Sequence, residues 1–132
     1  MDTPLFIAPC PVRFQDVDAA GVVFFAQVFG YFHDTYVAWL ASRGVSLATV
    51  LASRTWGAPL VHAEADYRRP LRFGGDYRAA ITSLEVGATS LRVHHSILEA
   101  SDRVCVEGLT VHAFIDVSTG RPCPVPAELK AL

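Results

Sequence analysis

Cysteines, long hydrophobic runs and a signal for export are scarce or missing in this sequence, and each shortage excludes a class of protein. The cysteines number three, Cys10, Cys105 and Cys123, and no two of them show CxxC spacing, so neither a disulfide framework nor a zinc site is indicated. No apolar run is long enough to span a bilayer, and the amino-terminal stretch lacks the basic start and apolar core of a signal peptide. We therefore expect a cytoplasmic protein with no membrane partner.

An excess of charge of either sign is also missing. The 11 lysines and arginines against 13 aspartates and glutamates give a formal net charge of -2, with no basic face. This excludes a general attraction to nucleic acid, and any anionic ligand must be met by a local basic cluster. A hydrophobic content of 52% with 18% charged residues favours one globular domain over residues 1–132, with a sizeable core.

The sequence does contain one long segment with helical spacing. Residues 22–42 hold no proline, repeat apolar side chains at helical intervals and end before Gly44, a typical C-terminal cap. We predict a long helix that is apolar on nearly every side and is therefore surrounded by protein. Ser46 can cap a short second helix that ends at about Ser53.

Segments with strand character lie on both sides of this helical region. The expected strands cover residues 6–15, 58–67, 77–86, 90–99 and 103–116. Short turns join the last four strands, which makes them antiparallel. A change of phase in the last strand predicts a β-bulge at Glu107 and Gly108. The expected fold class is α+β, with a long central helix wrapped by a curved antiparallel five-stranded sheet.

Two acids stand directly before the apolar segment, in the stretch QDVDAAGVVFF. An unpaired carboxylate is costly to bury, so Asp16 and Asp18 need a reason to be there. One interpretation is that either acid caps the helix. The other is an active site, in which the carboxylate of Asp18 meets free backbone N–H groups and the positive end of the helix dipole. Gly21 would let a ligand approach the backbone closely.

The same stretch resembles the signature of a known family. QDVDAAGVVFFAQVF matches the pattern DxDxxGxV(V/W)(Y/F) of the 4-hydroxybenzoyl-CoA thioesterase family of hot-dog proteins, with acids, glycine and apolar block at the same spacing. The resemblance implies the hot-dog fold and hydrolysis of an acyl-CoA without metal or cofactor. It also implies that Asp18 is the catalytic nucleophile or general base, that Asp16 supports it, and that the backbone N–H of Phe25 polarises the thioester carbonyl.

Further segments are similar to the 1,4-dihydroxy-2-naphthoyl-CoA thioesterases within this family. They are AGVVFFAQVF, HDTYVAWL and APLVHAEADYRRP, and the resemblance extends over about residues 12–76. Phe24 and Phe25 stand where relatives that act on general acyl-CoA carry a Tyr-His pair, a change that favours an aromatic acyl group. An Arg-Arg-Lys cluster that binds coenzyme A phosphates in benzoyl-CoA relatives has no counterpart, because residues 87–89 read Gly-Ala-Thr.

Polar side chains in the second expected strand and the loop after it are further candidates. His62 and Glu64 share one face of that strand, which is either a solvated face or part of the substrate pocket together with Phe24. The stretch RRPLR is either a solvated loop or the site that binds coenzyme A phosphates. Its cations are Arg68, Arg69 and Arg72. His94 and His95 are adjacent and point to opposite faces, so no metal is placed there.

The expected function is therefore hydrolysis of an aromatic acyl-CoA, with 1,4-dihydroxy-2-naphthoyl-CoA or a similar hydroxyaryl-CoA as substrate. Two alternatives stay open: release of an aromatic or polyketide chain from an acyl carrier protein, and binding of acyl-CoA without turnover. A single copy would leave a free sheet edge and apolar surface. We therefore expect a homodimer or homotetramer with sites at the shared interface.

Overall fold

The structure is a computed structural model that describes residues 3–130 of the chain. Two helices are present in this range, α1 (Gln27–Ser42) and α2 (Leu47–Ser53). The strands are β1 (Phe6–Pro9), β2 (Trp56–Gly57), β3 (Leu60–Tyr67), β4 (Tyr77–Val86), β5 (Ser90–Glu99), β6 (Val104–Ala113) and β7 (Ile115–Asp116). Within the described residues, no helix is both long enough and apolar enough to cross a membrane.

The main sheet is antiparallel and has five strands in the order β1-β4-β5-β6-β3. Strands β2 and β7 form a separate two-stranded sheet. Helix α1 packs against β1, β3 and β4, so the sheet curves around one side of it. The α+β hot-dog arrangement expected from the sequence is confirmed, and β3 lies at one edge of the sheet.

One face of α1 fills the core between helix and sheet. Val28, Phe32 and Leu40 are almost fully buried there. The ring of Phe32 occupies the space beside Gly108 in β6, where an added Cβ would lie 2.2 Å from the ring. The opposite face of α1 is exposed in the single chain, at Gly30 among other positions. The expectation that protein surrounds the helix on nearly every side is therefore wrong for one copy of the chain.

Helix α1 begins at Gln27, five residues later than the predicted start at Val22. The backbone of Val22 and Val23 is taken up by strand-like pairing instead. The N–H of Val23 donates to the carbonyl of Leu71 at 2.8 Å, and Val22 forms an isolated bridge with Arg72. This pairing needs an extended backbone, which outweighs the local helical pattern.

The carboxyl end of α1 and the start of α2 follow the prediction. Gly44 adopts a φ of +79°, the left-handed conformation that ends many helices. The hydroxyl of Ser46 accepts a hydrogen bond from the N–H of Thr49 at 3.3 Å, and α2 ends at Ser53. These boundaries depend on local chemistry, which explains why the sequence predicts them well.

Several strand boundaries differ from the prediction, and the second expected strand begins at Leu60 instead of residue 58. Strand β1 ends at Pro9, not at residue 15, because Pro9 and Pro11 lack the N–H that a ladder requires. The chain then forms a 3-10 turn over Phe14–Asp16. The last expected strand is divided into β6 and β7, whereas β4 and β5 have the predicted bounds.

The predicted bulge at Glu107 and Gly108 is wrong. These residues pair in register with Ser96 and His95 of β5. The irregularity lies at Cys105, since the neighbouring pairs are Ile97 with Val106 and Leu98 with Val104. Small glycine at position 108 serves the close approach of Phe32 rather than a bulge.

Candidate active site

Asp16 and Asp18 lie on a tight loop over residues 16–23, the acid loop, which is closed by hydrogen bonds of its own backbone. The N–H of Asp18 donates to the carbonyl of Val22 at 2.9 Å, and the N–H of Gly21 donates to the carbonyl of Asp18 at 3.0 Å. Val17 pairs with Val23 across the base of this loop. Gly21 adopts a φ of +76°, which glycine reaches without the steric cost that a side chain brings. The loop therefore holds Asp18 at a defined position on the surface.

One carboxylate oxygen of Asp18 stabilises the loop and the other is available. Oδ1 accepts hydrogen bonds from the N–H groups of Ala20 at 2.8 Å and Val22 at 3.4 Å. Within residues 3–130, Oδ2 has no hydrogen-bond donor. The residue that precedes α1 is Ala26, and no side chain of residues 3–130 caps the helix there. The helix-capping interpretation of Asp16 and Asp18 is therefore wrong.

Asp16 connects the loop to helix α1. Its Oδ2 accepts a hydrogen bond from the hydroxyl of Tyr31 at 2.9 Å, and its backbone carbonyl accepts one from the N–H of Phe24 at 2.8 Å. The Tyr31 hydroxyl also accepts from the N–H of Arg13 at 3.3 Å. Burial, with a contribution from Asp16, raises the pKa of Tyr31 to about 12, so the hydroxyl stays a donor at neutral pH.

Tyr31 was not among the residues that the sequence singled out. It lies on the buried stripe of α1, where an aromatic residue fits the core pattern without any functional role. The sequence feature that points to Tyr31 is the position of a tyrosine in the first turns of the helix, close to the two acids. Its polar hydroxyl needs a partner when it is buried, and the nearby acids of the loop can supply one.

The chain that enters α1 presents two consecutive free donors. In the described range, residues 3–130, the N–H groups of Phe25 and Ala26 have no acceptor. The next two N–H groups are used, because Gln27 donates to Phe24 at 2.9 Å and Val28 donates to Phe25 at 3.3 Å. Free donors at a helix start lie in a positive potential that favours an oxygen carrying negative charge. The donor expected at Phe25 is thus free, and the adjacent donor at Ala26 was missed.

A cleft of about 390 Å³ opens beside these donors. It is lined by Phe25 and Val28 from the helix start and by Tyr67 at the end of β3. Arg68 and Arg69 also line it, and they belong to the loop over residues 68–73, called the basic loop. The structure therefore brings the predicted oxyanion donor and two of the three predicted coenzyme-binding arginines together. Within residues 3–130, the lining of this cleft does not include the predicted site residues Asp18, Phe24, His62, Glu64 and Arg72.

The basic loop is attached to the acid loop through its backbone. The N–H of Phe73 donates to the carbonyl of Gly21 at 3.2 Å, next to the pairing of Val22 with Arg72. Arg72 also donates its backbone N–H to the hydroxyl of Tyr77 at 2.9 Å. The two loops, which are about fifty positions apart in the sequence, thus form one continuous surface.

The three arginines differ in how firmly their guanidinium groups are held. Arg68 donates to Glu107 at 2.8 Å, and this contact raises the pKa of its guanidinium further. Arg69 lies 3.9 Å from Glu99, which is long for a hydrogen bond. Within residues 3–130, Arg72 forms no ion pair. Arg69 is therefore the cation on the cleft that can most easily turn towards an anionic ligand.

The predicted substrate contacts lie on exposed surface in the single chain. His62 and Glu64 share one face of β3, as expected, and bond to each other at 2.9 Å. Their side chains are 52% and 57% exposed. The rings of Phe24 and Phe25 contact each other, with centroids 4.8 Å apart, and are also exposed. These groups lie outside the core, where a ligand or a second chain can reach them.

Three polar side chains lie under α1, away from the solvent. The hydroxyl of Thr110 bonds to Nε2 of His95 at 2.9 Å and to Nε2 of His112 at 3.1 Å. Burial lowers the pKa of His95 to about 3 and that of His112 to about 4, so both rings are neutral at physiological pH. His94 instead bonds to the exposed Glu85 at 2.7 Å, which confirms that the adjacent histidines point to opposite faces.

Among residues 3–130, the thiols and the acids form no alternative centre. Burial raises the pKa of Cys10 to about 12 and raises that of Cys105, which keeps both in the less nucleophilic thiol form. In the part of the chain that the structure describes, no group of three or more His, Cys, Asp or Glu residues could hold a metal ion.

Comparison with known proteins gives a consistent relationship. The family model of the thioesterase-like superfamily matches residues 12–132. A 1,4-dihydroxy-2-naphthoyl-CoA hydrolase from Synechococcus elongatus is 32% identical over 120 residues, which are 90% of this chain and 88% of that protein. The corresponding protein from Nostoc punctiforme is 31% identical over 118 residues, covering 89% of this chain and 79% of that one.

Solved structures agree with this relationship. A 1,4-dihydroxy-2-naphthoyl-CoA thioesterase from Synechocystis superposes with a TM-score of 0.87 at 27% identity, covering 95% of this chain and 92% of that chain. A gentisyl-coenzyme A thioesterase superposes with a TM-score of 0.85 at 22% identity over 96% of this chain and all of that one (100%), which supports the fold. The chain belongs to the thioesterase-like superfamily.

Proposed function

We propose that this protein hydrolyses an aromatic acyl-CoA, with 1,4-dihydroxy-2-naphthoyl-CoA or a similar hydroxyaryl-CoA as substrate. One observation carries the proposal. The backbone carbonyl of Asp16 bonds to the N–H of Phe24, so the loop that carries Asp18 is attached to the chain directly before the free donors of Phe25 and Ala26. A carboxylate and oxyanion donors are the two parts that thioester hydrolysis requires. The similar proteins from Nostoc punctiforme, Synechococcus elongatus and Synechocystis, which are 1,4-dihydroxy-2-naphthoyl-CoA hydrolases, support the choice of acyl group.

The chemistry follows from these groups. The thioester carbonyl oxygen accepts from the N–H groups of Phe25 and Ala26, which stabilise the negative charge that develops on it. The free carboxylate oxygen of Asp18 either attacks the carbonyl carbon or takes a proton from the attacking water. In both routes the C–S bond breaks and the thiolate leaves and gains a proton. If Asp18 attacks, water then hydrolyses the mixed anhydride, and the products are again the aryl carboxylic acid and free CoA.

The cleft beside the helix start suits the coenzyme. Arg68 and Arg69 lie on its wall, and phosphate oxygens are ligands that guanidinium groups bind well. Arg72 extends the same basic loop. We assign the aryl group to the exposed rings of Phe24 and Phe25, with His62 and Glu64 available to bond a ring hydroxyl.

A second copy of the chain would bring these parts together. One edge of β3 pairs with β6. Among residues 3–130 no strand pairs with the other edge, and β3 has exposed apolar side chains such as Leu60 and Val61. Exposed edges of this kind favour pairing between chains. We propose a homodimer in which two β3 edges meet, so that His62 and Glu64 face the site of the partner. Association of two dimers, a location in the cytoplasm and any acyl carrier protein partner stay predictions.

The substrate proposal is tested by steady-state kinetics with 1,4-dihydroxy-2-naphthoyl-CoA, benzoyl-CoA and hexanoyl-CoA. We expect kcat/KM for the naphthoyl substrate to exceed that for hexanoyl-CoA by at least about tenfold, because ring stacking and a matched hydroxyl each add selectivity. Equal efficiency on all three substrates would contradict the assignment of the aryl pocket.

The carrier is tested with the same acyl group on CoA and on acyl carrier protein. A higher kcat/KM for the CoA ester supports the proposal, and a higher value for the protein carrier supports release from a carrier protein instead. Tight binding of acyl-CoA without release of a thiol would indicate a binding protein that lacks turnover. Thiol release is followed directly with a thiol-reactive dye.

A further inference from the structure

Tyr67 lies at the end of β3 and makes one long-range contact with the helix start. Its hydroxyl donates to the backbone carbonyl of Phe25 at 2.8 Å, across 42 positions of sequence. The ring lines the same cleft as Phe25, and part of it is exposed. Partial burial raises the pKa of Tyr67, so its hydroxyl is protonated and can donate at neutral pH.

The carbonyl that Tyr67 holds belongs to the same peptide plane as one of the free donors. The C=O of Phe25 and the N–H of Ala26 are rigidly coupled, because the peptide bond between them is planar and trans. A hydrogen bond that fixes the carbonyl therefore also fixes the direction in which the Ala26 N–H points. Among residues 3–130, the Phe25 carbonyl otherwise receives only the long 3.3 Å bond from Val28.

The donor pair is thus anchored on both sides. Before it, the N–H of Phe24 is bound to the carbonyl of Asp16, and after it the carbonyl of Phe25 is bound to Tyr67. Within the described residues 3–130, no side chain caps α1, and an uncapped first turn is free to fray. The contact with Tyr67 supplies the restraint that a capping side chain would otherwise provide.

We propose that Tyr67 is a positioning residue for thioester hydrolysis: its hydroxyl holds the Phe25–Ala26 peptide so that the Ala26 N–H points at the carbonyl oxygen of the bound thioester. This inference rests on the proposed function. It assigns a role to Tyr67 that acts through the backbone and needs no contact between its hydroxyl and the substrate.

The test is Tyr67→Phe, which keeps the ring and removes the hydroxyl. We expect kcat on the best substrate of the wild-type protein to fall by about tenfold, the scale of a weakened oxyanion contact, with KM changed by less than about twofold. Tyr36→Phe is the matched control, because the Tyr36 hydroxyl is buried without a partner among residues 3–130. This control should retain wild-type kcat.

Two inhibitors separate positioning from a general structural effect. An aryl ketone analogue, in which a methylene group separates the carbonyl from the sulfur of CoA, keeps the oxygen that the donors bind. An aryl-methyl thioether of CoA lacks that oxygen. Tyr67→Phe should weaken inhibition by the ketone by about five- to tenfold and leave the thioether unchanged.

The outcomes distinguish the two proposals. If the wild-type protein hydrolyses no aryl-CoA, the proposed function fails. If the wild-type protein is active and Tyr67→Phe has the same kcat, the role of Tyr67 is wrong while the function stands. Equal weakening of both inhibitors, or a lower melting temperature that accounts for the lost activity, would also overturn the positioning role.

Discussion

The hydroxyl of Tyr31 lies 2.9 Å from Oδ2 of Asp16, and this bond joins helix α1 to the loop that carries Asp18. The partners are 15 positions apart and belong to different elements. Because Asp16 also bonds to Phe24 through its backbone, the contact couples the position of the acid loop to that of the free donors at the helix start. The first two predictions below concern this connected unit.

Tyr31→Phe should disconnect the acid loop from the helix. The variant keeps the buried ring but removes the donor to Asp16, a bond to a charged group worth about 1.5–3 kcal/mol. We expect kcat to fall by about three- to thirtyfold. Steady-state kinetics on the preferred acyl-CoA measure this, with Tyr36→Phe on the same helix as control. Unchanged kcat in Tyr31→Phe would show that the loop holds its position without the bond.

Asp18→Asn should abolish the catalytic role of the carboxylate and retain the conformation of the acid loop. The amide oxygen of asparagine can still accept from Ala20 and Val22, but it can neither attack a carbonyl nor take a proton from water. We expect kcat to fall by at least about a hundredfold while acyl-CoA still binds. Asp16→Asn should lose less, because that residue supports the loop. Asp34→Asn, on the exposed face of α1, is the control, and a comparable loss there would contradict the assignment.

Arg69→Gln should weaken binding of the coenzyme without altering the chemical step. We expect KM for the acyl-CoA to rise by about three- to tenfold, the scale of one charge-assisted hydrogen bond, with little change in kcat. The same acyl group on pantetheine, which lacks the nucleotide phosphates, should show no such change. Arg92→Gln is the control, since Arg92 of β5 pairs with Glu85 of β4 away from the cleft. An equal rise in KM for both thioesters would reject a phosphate contact.

The buried histidines predict how stability depends on pH. His95 and His112 stay neutral in the folded chain down to pH values near 3 and 4, whereas the unfolded chain takes up protons below about 6.5. The unfolded state therefore binds more protons, and the free energy of unfolding falls as the pH drops from 6.5 towards 4. The slope is at most about 1.4 kcal/mol per pH unit for each histidine.

The double variant His95→Gln/His112→Gln should reduce this slope. Urea unfolding at several pH values between about 6.5 and 4.5 measures it, and the slope is compared rather than the absolute stability, because the substitutions also disturb packing. His94→Gln is the control, as it lies on the other face of β5. The same slope in the wild type and the double variant would show that other groups govern the acid sensitivity.

Gly108→Ala should destabilise the fold through a steric conflict. An added Cβ would lie 2.2 Å from the ring of Phe32 and 2.8 Å from the carbonyl oxygen of Glu64, so helix or sheet must shift. We expect a loss of about 1–3 kcal/mol in the free energy of unfolding. Gly30→Ala is the matched control, because nothing lies within 4 Å of a Cβ there and alanine favours a helix. Equal stability of both variants would show that the Phe32 contact relaxes freely.

Local chemistry made several features predictable. The end of α1 before Gly44, the cap at Ser46 and the bounds of β4 and β5 depend on residues that are neighbours in the chain. The spacing of Asp16, Asp18 and Gly21 also indicated the acid loop, although it did not show that Asp18 bonds within the loop and leaves the helix uncapped.

The sequence by itself determined the fold class, the family and the candidate acid, because hydrophobic period, turn residues and a spaced motif are all properties of short segments. Only the tertiary structure decided where α1 begins, since the pairing of Val22 and Val23 with the basic loop depends on residues about fifty positions away. It also decided that Tyr31 and Tyr67 reach the acid loop and the helix start. Such contacts depend on how elements pack against one another, and a single hydroxyl in an apolar pattern does not reveal them.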